Sequence, residues 1–286
     1  MKNKRRISFH EDESICIFLN DLSPEYEKKS PYYNICIYKH PLLGKILTLN
    51  DEIQHIEAYE SIYHENLTHI PTAFIKNPEK ALVLGGGSLF AAHELMKYKS
   101  IKHIKLCDHD ELVINACCKY YDKSIKTRFD KRLDIQIEDV FDFLISSKEK
   151  YDIIINDCFN IAIESKKRNI NLYQIMENSL TESGICSDIV YRHIFDSETF
   201  DATLKLLKNF PHKCLSLVFV PEYPGILHIE TMWGKNKYLS QNSIKTCNLE
   251  QIEWSKDSSA PFLFYQPNNL GFYTYLPPYI KRRINL

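Results

Sequence analysis

Glycine is scarce in this sequence, and several other features are missing altogether. The chain of 286 residues has 8 glycines, 4 methionines and 2 tryptophans. No apolar run is long enough to span a bilayer, so we expect no membrane-spanning helix. The formal net charge of −1 provides no general attraction to nucleic acid or to an acidic membrane surface. These absences favour a soluble globular protein with a substantial core.

No pair of cysteines has the Cys-x-x-Cys spacing of a structural zinc site, although the chain has 9 cysteines. We therefore expect no metal. Their number is odd, and the basic start MKNKRRISFHEDES is not followed by the apolar stretch of a secretion signal. The sequence predicts a cytoplasmic protein whose thiols are reduced and mostly buried.

The first part of the chain has the pattern of short strands. Runs of apolar and β-branched residues, separated by turn residues, occur at 15–20, 32–39 and 45–49. From residue 52 to 69, apolar side chains recur at helical spacing, and Pro71 is expected to end that helix. We predict a small N-terminal β-domain with a helical connector over residues 1–72.

From residue 73 onwards, strand-like and amphipathic segments alternate. Strands are predicted at 81–84, 104–107, 133–137, 153–156, 185–190 and 215–220. Helices are predicted at 91–98, 111–121, 140–146 and 197–209. Residues 226–233 and 262–278 have the pattern of strand and irregular structure. The alternation predicts an α/β fold over residues 73–286, a Rossmann-like domain with a mostly parallel twisted sheet and helices on both faces.

Three of the 8 glycines stand together, as Gly85-Gly86-Gly87, directly after a strand of the buried type. At such a turn the backbone must approach a ligand closely, and a Cβ would obstruct it. Asp108 ends the next predicted strand, where an acid commonly accepts hydrogen bonds from ribose hydroxyls. Asp139 ends the third, where it could bind an adenine amino group. The spacing predicts a nucleoside site.

The kind of nucleoside is limited by Phe90, which stands where the dinucleotide-binding pattern G-x-G-x-x-G has its third glycine. A cradle for a pyrophosphate is therefore disfavoured, and an adenosyl ligand with little charge fits better. The other interpretation of these residues is a glycine-rich turn with acidic residues that cap helices.

Four motifs resemble those of the polyamine aminopropyltransferases, the spermidine synthase family. GKILTLNDEIQ at 44–54 is similar to the family's G-R-V-L-x-L-D-G-x-x-Q hairpin. ESIYHENLTHIP at 60–71 is similar to D-E-F-x-Y-H-E-M-L-x-H-x-P. YDIIIND at 151–157 resembles Y-D-V-I-I-x-D, and VPEYPG at 220–225 resembles V-P-T-Y-x-x-G.

The end of the chain, with FY at 264–265 and LP at 276–277, resembles the family's Y-Y…L-P tail. The resemblance implies a methyltransferase-like Rossmann domain behind a small β-domain, assembled as a homodimer or homotetramer. The implied reaction transfers an aminopropyl group from decarboxylated S-adenosylmethionine to putrescine, giving spermidine and methylthioadenosine. The adenosyl donor is then a co-substrate and no cofactor is needed. The expected partners are this donor and a small diamine, without nucleic acid or membrane.

The resemblance also implies roles for single residues. Asp157 would accept the proton of the attacking amine, because an alkylammonium with a pKa of about 10 has no free lone pair. Tyr63 and His64 would line the amine channel, and Tyr223 would orient the amine by a hydrogen bond or a cation–π contact. The residues that would bind the donor are Gln54, Gly85, Gly86, Gly87, Asp108, Asp139 and Val140.

The departures from the family pattern are concentrated in the site. Ser88 replaces an aspartate of the glycine turn, and Asn160 replaces a second pocket aspartate near the amine. Tyr33 aligns with a glutamine that contacts the donor. Residues 163–169 replace a gate rich in proline and glycine, and they bring in the basic run Lys166-Lys167-Arg168.

The loss of two acids should weaken the attraction for a diamine, since an ammonium buried without an anion is unfavourable by several kcal/mol. Two alternatives to spermidine synthesis therefore stay open. One is a related adenosyl-dependent transferase with another amine acceptor, or with intact S-adenosylmethionine as donor. The other is a non-catalytic paralogue that acts as a binding or regulatory subunit. Leu89 and Phe90 replace the glycines after Ser88, and a hollow filled by them would contradict an enzyme.

Overall fold

Two β-sheets organise the chain. The computed structural model describes residues 5–10, 16–189, 191–192, 197–220, 227–241 and 262–284. The first sheet consists of β1 (Arg5–His10), β2 (Cys16–Lys29), β3 (Asn34–His40), β4 (Gly44–Leu49) and β5 (Glu52–Ile56). Each of these strands pairs antiparallel with the next one along the chain. The predicted small β-structure ahead of the Rossmann-like part is confirmed.

The second sheet follows the first in the chain. Its strands are β6 (Lys80–Gly85), β7 (His103–Asp108), β8 (Leu133–Ile137), β9 (Tyr151–Asp157), β10 (Leu180–Ser187), β11 (Tyr191–Arg192), β12 (His212–Phe219) and β13 (Leu227–Gly234). They lie in the order β11-β13-β10-β9-β6-β7-β8, and β12 also pairs with β13. Strands β6 to β10 are parallel, whereas β13 is antiparallel to its neighbours. The predicted mostly parallel sheet is confirmed.

Helices cover both faces of this sheet. In the described part of the chain they are α1 (Glu60–Thr72), α2 (Phe90–Leu95), α3 (Glu111–Tyr120), α4 (Asp122–Arg128), α5 (Val140–Ser146), α6 (Ile161–Arg168), α7 (Leu172–Asn178), α8 (Ser197–Leu207), α9 (Leu270–Thr274) and α10 (Pro278–Ile284). Among these, none has the length and apolar character that crossing a membrane requires.

The strand β6 shows how the two faces are built. Ala81 and Val83 pack into one apolar cluster, which includes side chains of α1, α2 and α9. Leu82 and Leu84 pack into another, which includes side chains of α5 and α7. Because successive strand side chains point to opposite faces, a continuous apolar run buries a strand on both sides.

The sequence-based helix from residue 52 to 69 was wrong at its start and at its end. Residues Glu52–Ile56 form β5, which pairs with β4, and α1 begins only at Glu60. Pro71 lies inside α1 instead of ending it. A proline cannot donate to the carbonyl four residues earlier, which is that of Leu67. The hydroxyl of Ser187 donates to this carbonyl instead, at 3.1 Å.

Other short helices were missed. The helices α4, α6 and α7 have 7 or 8 residues each, which is too few turns for an apolar period to emerge. Residues 262–278, predicted as strand and irregular structure, contain the helix α9. Side-chain caps at Asn160 and Asn171 begin α6 and α7, and such caps favour a helix even where periodicity is weak.

Candidate active site

A cavity of about 330 Å³ lies between the N-terminal sheet, α1 and the carboxyl ends of β6, β7 and β9. In open α/β sheets, ligands bind in the crevice outside these strand ends. Sequence-predicted site residues that line it are Tyr33, Gln54, Tyr63, His64, Gly86, Gly87, Ser88, Asp108 and Asp157. The fold therefore brings most of the predicted site together around one hollow.

The glycine turn forms part of this wall. Gly85 and Gly86 have φ angles of 74° and 73°, in the left-handed region that favours glycine. A Cβ on Gly86 would lie 3.2 Å from Oδ2 of Asp157, and one on Gly87 would lie 3.0 Å from Oδ2 of Asp108. Because glycine has no side chain, the carboxylates of Asp108 and Asp157 can approach the turn closely.

The two bulky residues after Ser88 do not fill the hollow. Leu89 is buried in the apolar cluster that includes side chains of α1 and α2. Phe90 is buried against Ile35, Ile37 and other apolar side chains. Leu89 keeps a left-handed backbone with φ 67°, which is unfavourable for a residue with a Cβ by about 1–2 kcal/mol. Neither side chain lines the cavity, so the glycine turn faces an open hollow.

Asp157 is the last residue of β9, and its carboxylate faces the cavity. The hydroxyl of Tyr63 donates a hydrogen bond to its Oδ1 at 2.9 Å. Burial raises the pKa of Asp157, and the nearby Asp108 carboxylate adds to this, whereas His64 and the Tyr63 hydroxyl lower it; the net pKa is above the ordinary value. A carboxylate with a raised pKa accepts a proton more readily near neutral pH.

His64 lies one residue further along α1 and is buried. Its Nδ1 is 2.9 Å from Oε2 of Glu60. Burial disfavours the imidazolium, but Glu60 and, more weakly, Asp157 outweigh it, so the pKa of His64 is raised. His64 therefore adds positive charge to this end of the cavity as the pH falls.

Glu60 was quoted within a motif but given no role from the sequence. Its side chain lines the cavity and forms an ion pair with Lys123 of α4, whose Nζ also donates to Oγ of Ser61 at 3.1 Å. Burial alone would raise the pKa of Glu60, but His64 and Lys123 together hold it well below the ordinary value. Glu60 is therefore an anion at neutral pH.

Asp108 ends β7 beside the glycine turn. Its Oδ1 accepts a hydrogen bond from the Asp110 N–H at 2.9 Å. Burial raises the pKa of Asp108 above the ordinary value, although this hydrogen bond and the neighbouring His109 oppose the change. On the facing wall, the Tyr33 ring lies 5.6 Å from the His109 ring, centroid to centroid.

Several predicted residues lie outside the cavity lining. Gly85 belongs to the turn but does not line the hollow. Asp139 caps α5, where its Oδ1 accepts from the N–H groups of Phe141 and Asp142 at 2.9 and 3.2 Å. Val140 is the first residue of that helix and is buried. The helix-capping interpretation therefore describes what the Asp139 side chain does.

The predicted pocket residue Asn160, like Asp139, caps a helix. Its Oδ1 caps α6 by accepting from the Ile163 N–H at 2.9 Å. The basic run that follows lies on α6: Lys167 pairs with Glu164 at 2.7 Å, and Arg168 stacks 3.6 Å from the centre of the Phe141 ring. Tyr223, predicted to orient the amine, lies outside the described residues.

Sequence reasoning also missed His55 and Cys158, which line the cavity. The His55 ring packs 4.7 Å from the Phe90 ring and 4.8 Å from the Tyr121 ring. Burial, and then the positive charges of His64 and Lys123, lower the pKa of His55 to about 3. The histidine is thus neutral at neutral pH. In β5, buried Ile53 and His55 alternate with exposed Glu52 and Gln54, and this period of two was the signal that could have found His55.

The arrangement can bind and deprotonate a small cationic nucleophile. It offers a carboxylate base oriented by a tyrosine, a glycine turn open to a ligand and a second carboxylate at the next strand end. Within the described ranges, no group of three or more His, Cys, Asp or Glu side chains is placed to hold a metal ion.

Known proteins are similar to this chain in sequence and in fold. The protein-family model described as "spermine/spermidine synthase domain" matches residues 60–244 of this chain. The polyamine aminopropyltransferase of Buchnera aphidicola subsp. Acyrthosiphon pisum is 30% identical over 266 residues, covering 91% of each chain. That of Thermoanaerobacter sp. is 27% identical over 231 residues, covering 80% of this chain and 83% of the relative.

Solved structures agree on the fold. The crystal structure of spermidine synthase from Thermotoga maritima superposes with a TM-score of 0.83 at 24% identity, covering 100% of this chain and 97% of that one. A spermidine synthase in complex with the transition state analogue AdoDATO gives a TM-score of 0.83 at 23% identity with the same coverage. The resemblance read from the motifs is confirmed: the chain belongs to the spermine/spermidine synthase family of polyamine aminopropyltransferases.

Proposed function

We propose that this chain transfers the aminopropyl group of decarboxylated S-adenosylmethionine to putrescine, giving spermidine and methylthioadenosine. The observation that carries the proposal is the hydrogen bond between Tyr63 and Asp157, in a cavity that the glycine turn leaves open. Family membership, through the model matched at residues 60–244, agrees with a transferase of this kind.

The donor lies, in this proposal, against the glycine turn. Gly86 and Gly87 leave room for the donor, and Asp108 accepts hydrogen bonds from the ribose hydroxyls. Gln54 and Tyr33 contact the donor from the opposite wall, where both line the cavity. The N-terminal end of α5, at Asp139 and Val140, is the proposed adenine side. Asp139 is occupied there by its helix cap, so its contribution to adenine would come through its remaining lone pairs.

The chemistry needs one base. The lone pair of the amine nitrogen attacks the propyl carbon bound to the sulfonium, the C–S bond breaks, and its electrons neutralise the sulfur as a thioether. The nitrogen proton passes to Asp157 and then to solvent. Tyr63 holds the Asp157 carboxylate towards the incoming nitrogen, and burial gives that carboxylate the raised pKa that suits a base.

The remaining acceptor contacts are proposed from position. Ser88 lines the cavity next to the turn, and its hydroxyl can accept from an ammonium. Asn160 begins α6 shortly after Asp157, and Tyr223 is proposed to orient the amine. His64 lines the cavity beside Glu60 and Tyr63 and completes the amine side.

The proposal also covers the domains, the assembly and the cellular location of the protein. The chain divides into a β-domain at residues 1–72 and a Rossmann-like domain at residues 73–286, which agrees with the end of α1 at Thr72. The protein assembles as a homodimer or homotetramer. It works in the cytoplasm, which agrees with the free, buried thiols of Cys36, Cys107, Cys117 and Cys186.

The proposal is tested by incubating the purified chain with decarboxylated S-adenosylmethionine and a panel of amines. Mass spectrometry should find spermidine and methylthioadenosine in equal amounts when putrescine is the acceptor. Methylthioadenosine formed only with another amine, or only with intact S-adenosylmethionine, would move the function to a related transferase. If neither donor nor methylthioadenosine raises the unfolding temperature, the chain is a non-catalytic paralogue.

A further inference from the structure

The carboxylate of Glu60 lies between the cavity and a lysine. Its side chain is 5% exposed, whereas that of its ion-pair partner Lys123 is 35% exposed. Glu60 lines the cavity, and Lys123 does not. Lys123 therefore holds Oε1 of this carboxylate from outside the cavity lining, while Oε2 lies 2.9 Å from Nδ1 of His64, which lines the cavity.

The charges around the cavity single out this residue. Among the described residues, the carboxylates that line it are Glu60, Asp108 and Asp157. Asp157 accepts the reacting proton in the proposed function, and Asp108 is beside the glycine turn, on the donor side. Glu60 is then the carboxylate available on the acceptor side for a second positive charge.

A diamine brings such a charge. When one nitrogen of putrescine attacks, the other stays an ammonium, and a buried ammonium requires an anion. Nδ1 of His64 lies 2.9 Å from Oε2 of Glu60, and the His64 ring packs 5.0 Å from the ring of Tyr63, whose hydroxyl donates to Asp157. Glu60 and Asp157 are therefore linked through these two side chains along one stretch of the cavity. Neutral His55, in the same wall, adds no positive charge there.

Resting on the proposed function, we propose that the Glu60 carboxylate binds the second ammonium of the acceptor, and that Lys123 competes with that ammonium. Lys123 is then a specificity-determining residue. Its Nζ and the acceptor ammonium are chemically alike, each a compact cation with three donors, and a carboxylate shared between them binds the acceptor less strongly. The Lys123 side chain is 35% exposed, so it can turn into solvent when the acceptor ammonium binds Glu60.

Equilibrium binding measurements distinguish a Glu60 carboxylate that binds the second ammonium from one whose ion pair with Lys123 is purely structural. Calorimetry on the full chain, saturated with methylthioadenosine, compares putrescine with n-butylamine, which has the same length but no second ammonium. Glu60→Gln should weaken putrescine binding by about tenfold and change n-butylamine binding by less than about twofold. Lys123→Met should tighten putrescine binding by about threefold, whereas Lys123→Arg, the matched control, should stay near wild type.

Two other binding outcomes would overturn the proposal. Equal weakening of both amines by Glu60→Gln shows that Glu60 acts through the fold. Unchanged or weaker putrescine binding in Lys123→Met shows that Lys123 supports Glu60 and does not compete with the acceptor ammonium. If Glu60→Gln fails to fold, the comparison of Lys123→Met with Lys123→Arg is sufficient to test the proposal. Turnover is measured on the same wild-type preparation. If the variants bind as expected but the wild type shows no turnover, only the proposed function is contradicted. If the wild type shows turnover but Glu60→Gln weakens both amines alike, only the proposed role of Glu60 is contradicted.

Discussion

Tyr63 and Asp157 are joined across the cavity by a hydrogen bond of 2.9 Å, although they are 94 residues apart in the sequence. Tyr63 comes from α1 and Asp157 from the end of β9. The bond connects the helix that follows the N-terminal sheet with the strand end next to the glycine turn. The position of the base thus depends on how the two parts of the chain pack.

Removal of this hydrogen bond should change the pH dependence of turnover. The Tyr63 hydroxyl lowers the pKa of Asp157 against the larger effect of burial. Tyr63→Phe therefore raises that pKa further, and the acidic limb of the kcat/KM profile should move to higher pH, because the base must be deprotonated to act. An acidic limb at the wild-type position would show that another group is the base.

Asp157→Asn should separate binding from chemistry. The asparagine keeps the size of the side chain but cannot take the proton, so kcat should fall by about 10² to 10⁴. The affinity for methylthioadenosine, measured by calorimetry, should stay within about twofold of wild type. Turnover close to wild type would place the proton acceptor elsewhere. Asp152→Asn is a suitable control, since Asp152 is on the same strand and accepts from the Glu79 and Lys80 N–H groups away from the cavity.

Much of this site could be predicted from local pattern. The strands β6, β7 and β9 are rich in apolar residues, and each ends in glycine or aspartate. Because parallel strands end at one edge of the sheet, Asp108 and Asp157 must lie near the glycine turn once the topology is known. Tyr63 and His64 came from a motif, since helical spacing alone does not distinguish a site from packing.

The rest depends on contacts that no local pattern encodes. Lys123 meets Glu60 from 63 residues away, on a helix too short to show a period. Asp139 occupied the expected strand end, but the first turn of α5 takes up its side chain, because unpaired N–H groups at a helix start compete for any nearby acceptor. Leu89 shows that tertiary burial can hold a leucine in a left-handed conformation.

The glycine turn should respond differently at its two lining positions. Gly86→Ala forces a Cβ into a left-handed residue and against Val83 Cγ1 at 3.0 Å, which should lower the free energy of unfolding by about 1–2 kcal/mol. Gly87→Ala has no such backbone strain but presses on Asp108. It should lose affinity for methylthioadenosine with a smaller loss of stability. Calorimetry and chemical denaturation of both variants check this, and equal effects at the two sites would contradict it.

The buried carboxyl of Glu230 should make stability depend on pH. Its oxygens lie 2.6 Å from Ser187 Oγ and 2.8 Å from Ser216 Oγ. Burial raises its pKa from 4.5 to about 8, against the opposing effect of these hydroxyls. The folded state therefore holds a proton that the unfolded chain releases at lower pH, and stability falls as the pH rises from 4.5 towards 8.

Glu230→Gln removes this ionisation while keeping the shape of the side chain. The variant should unfold at a higher temperature than wild type at pH 9, by a few degrees, and the difference should shrink towards pH 6. Scanning calorimetry across this range measures it. A difference between the two proteins that is constant with pH would mean that Glu230 does not titrate in the folded state.

Glu65, next to His64 on α1, should hold the last part of the chain in place. Its buried carboxylate accepts three successive backbone N–H groups, from Leu263 at 2.8 Å, Phe264 at 2.7 Å and Tyr265 at 2.6 Å. Glu65→Gln replaces one oxygen by an amide nitrogen that cannot accept, so at least one of these N–H groups loses its partner. An unpaired buried donor is unfavourable by about 1–3 kcal/mol.

Hydrogen exchange at these three amides should therefore accelerate by about tenfold or more in Glu65→Gln, and the unfolding temperature should fall. The same substitution at Glu79 is the matched control, because its side chain is 56% exposed and pairs with Lys102 at the surface. Exposed ion pairs contribute little to stability, so Glu79→Gln should leave both measurements unchanged. If the amides of residues 263–265 exchange at the wild-type rate in Glu65→Gln, the carboxylate does not anchor this segment in solution.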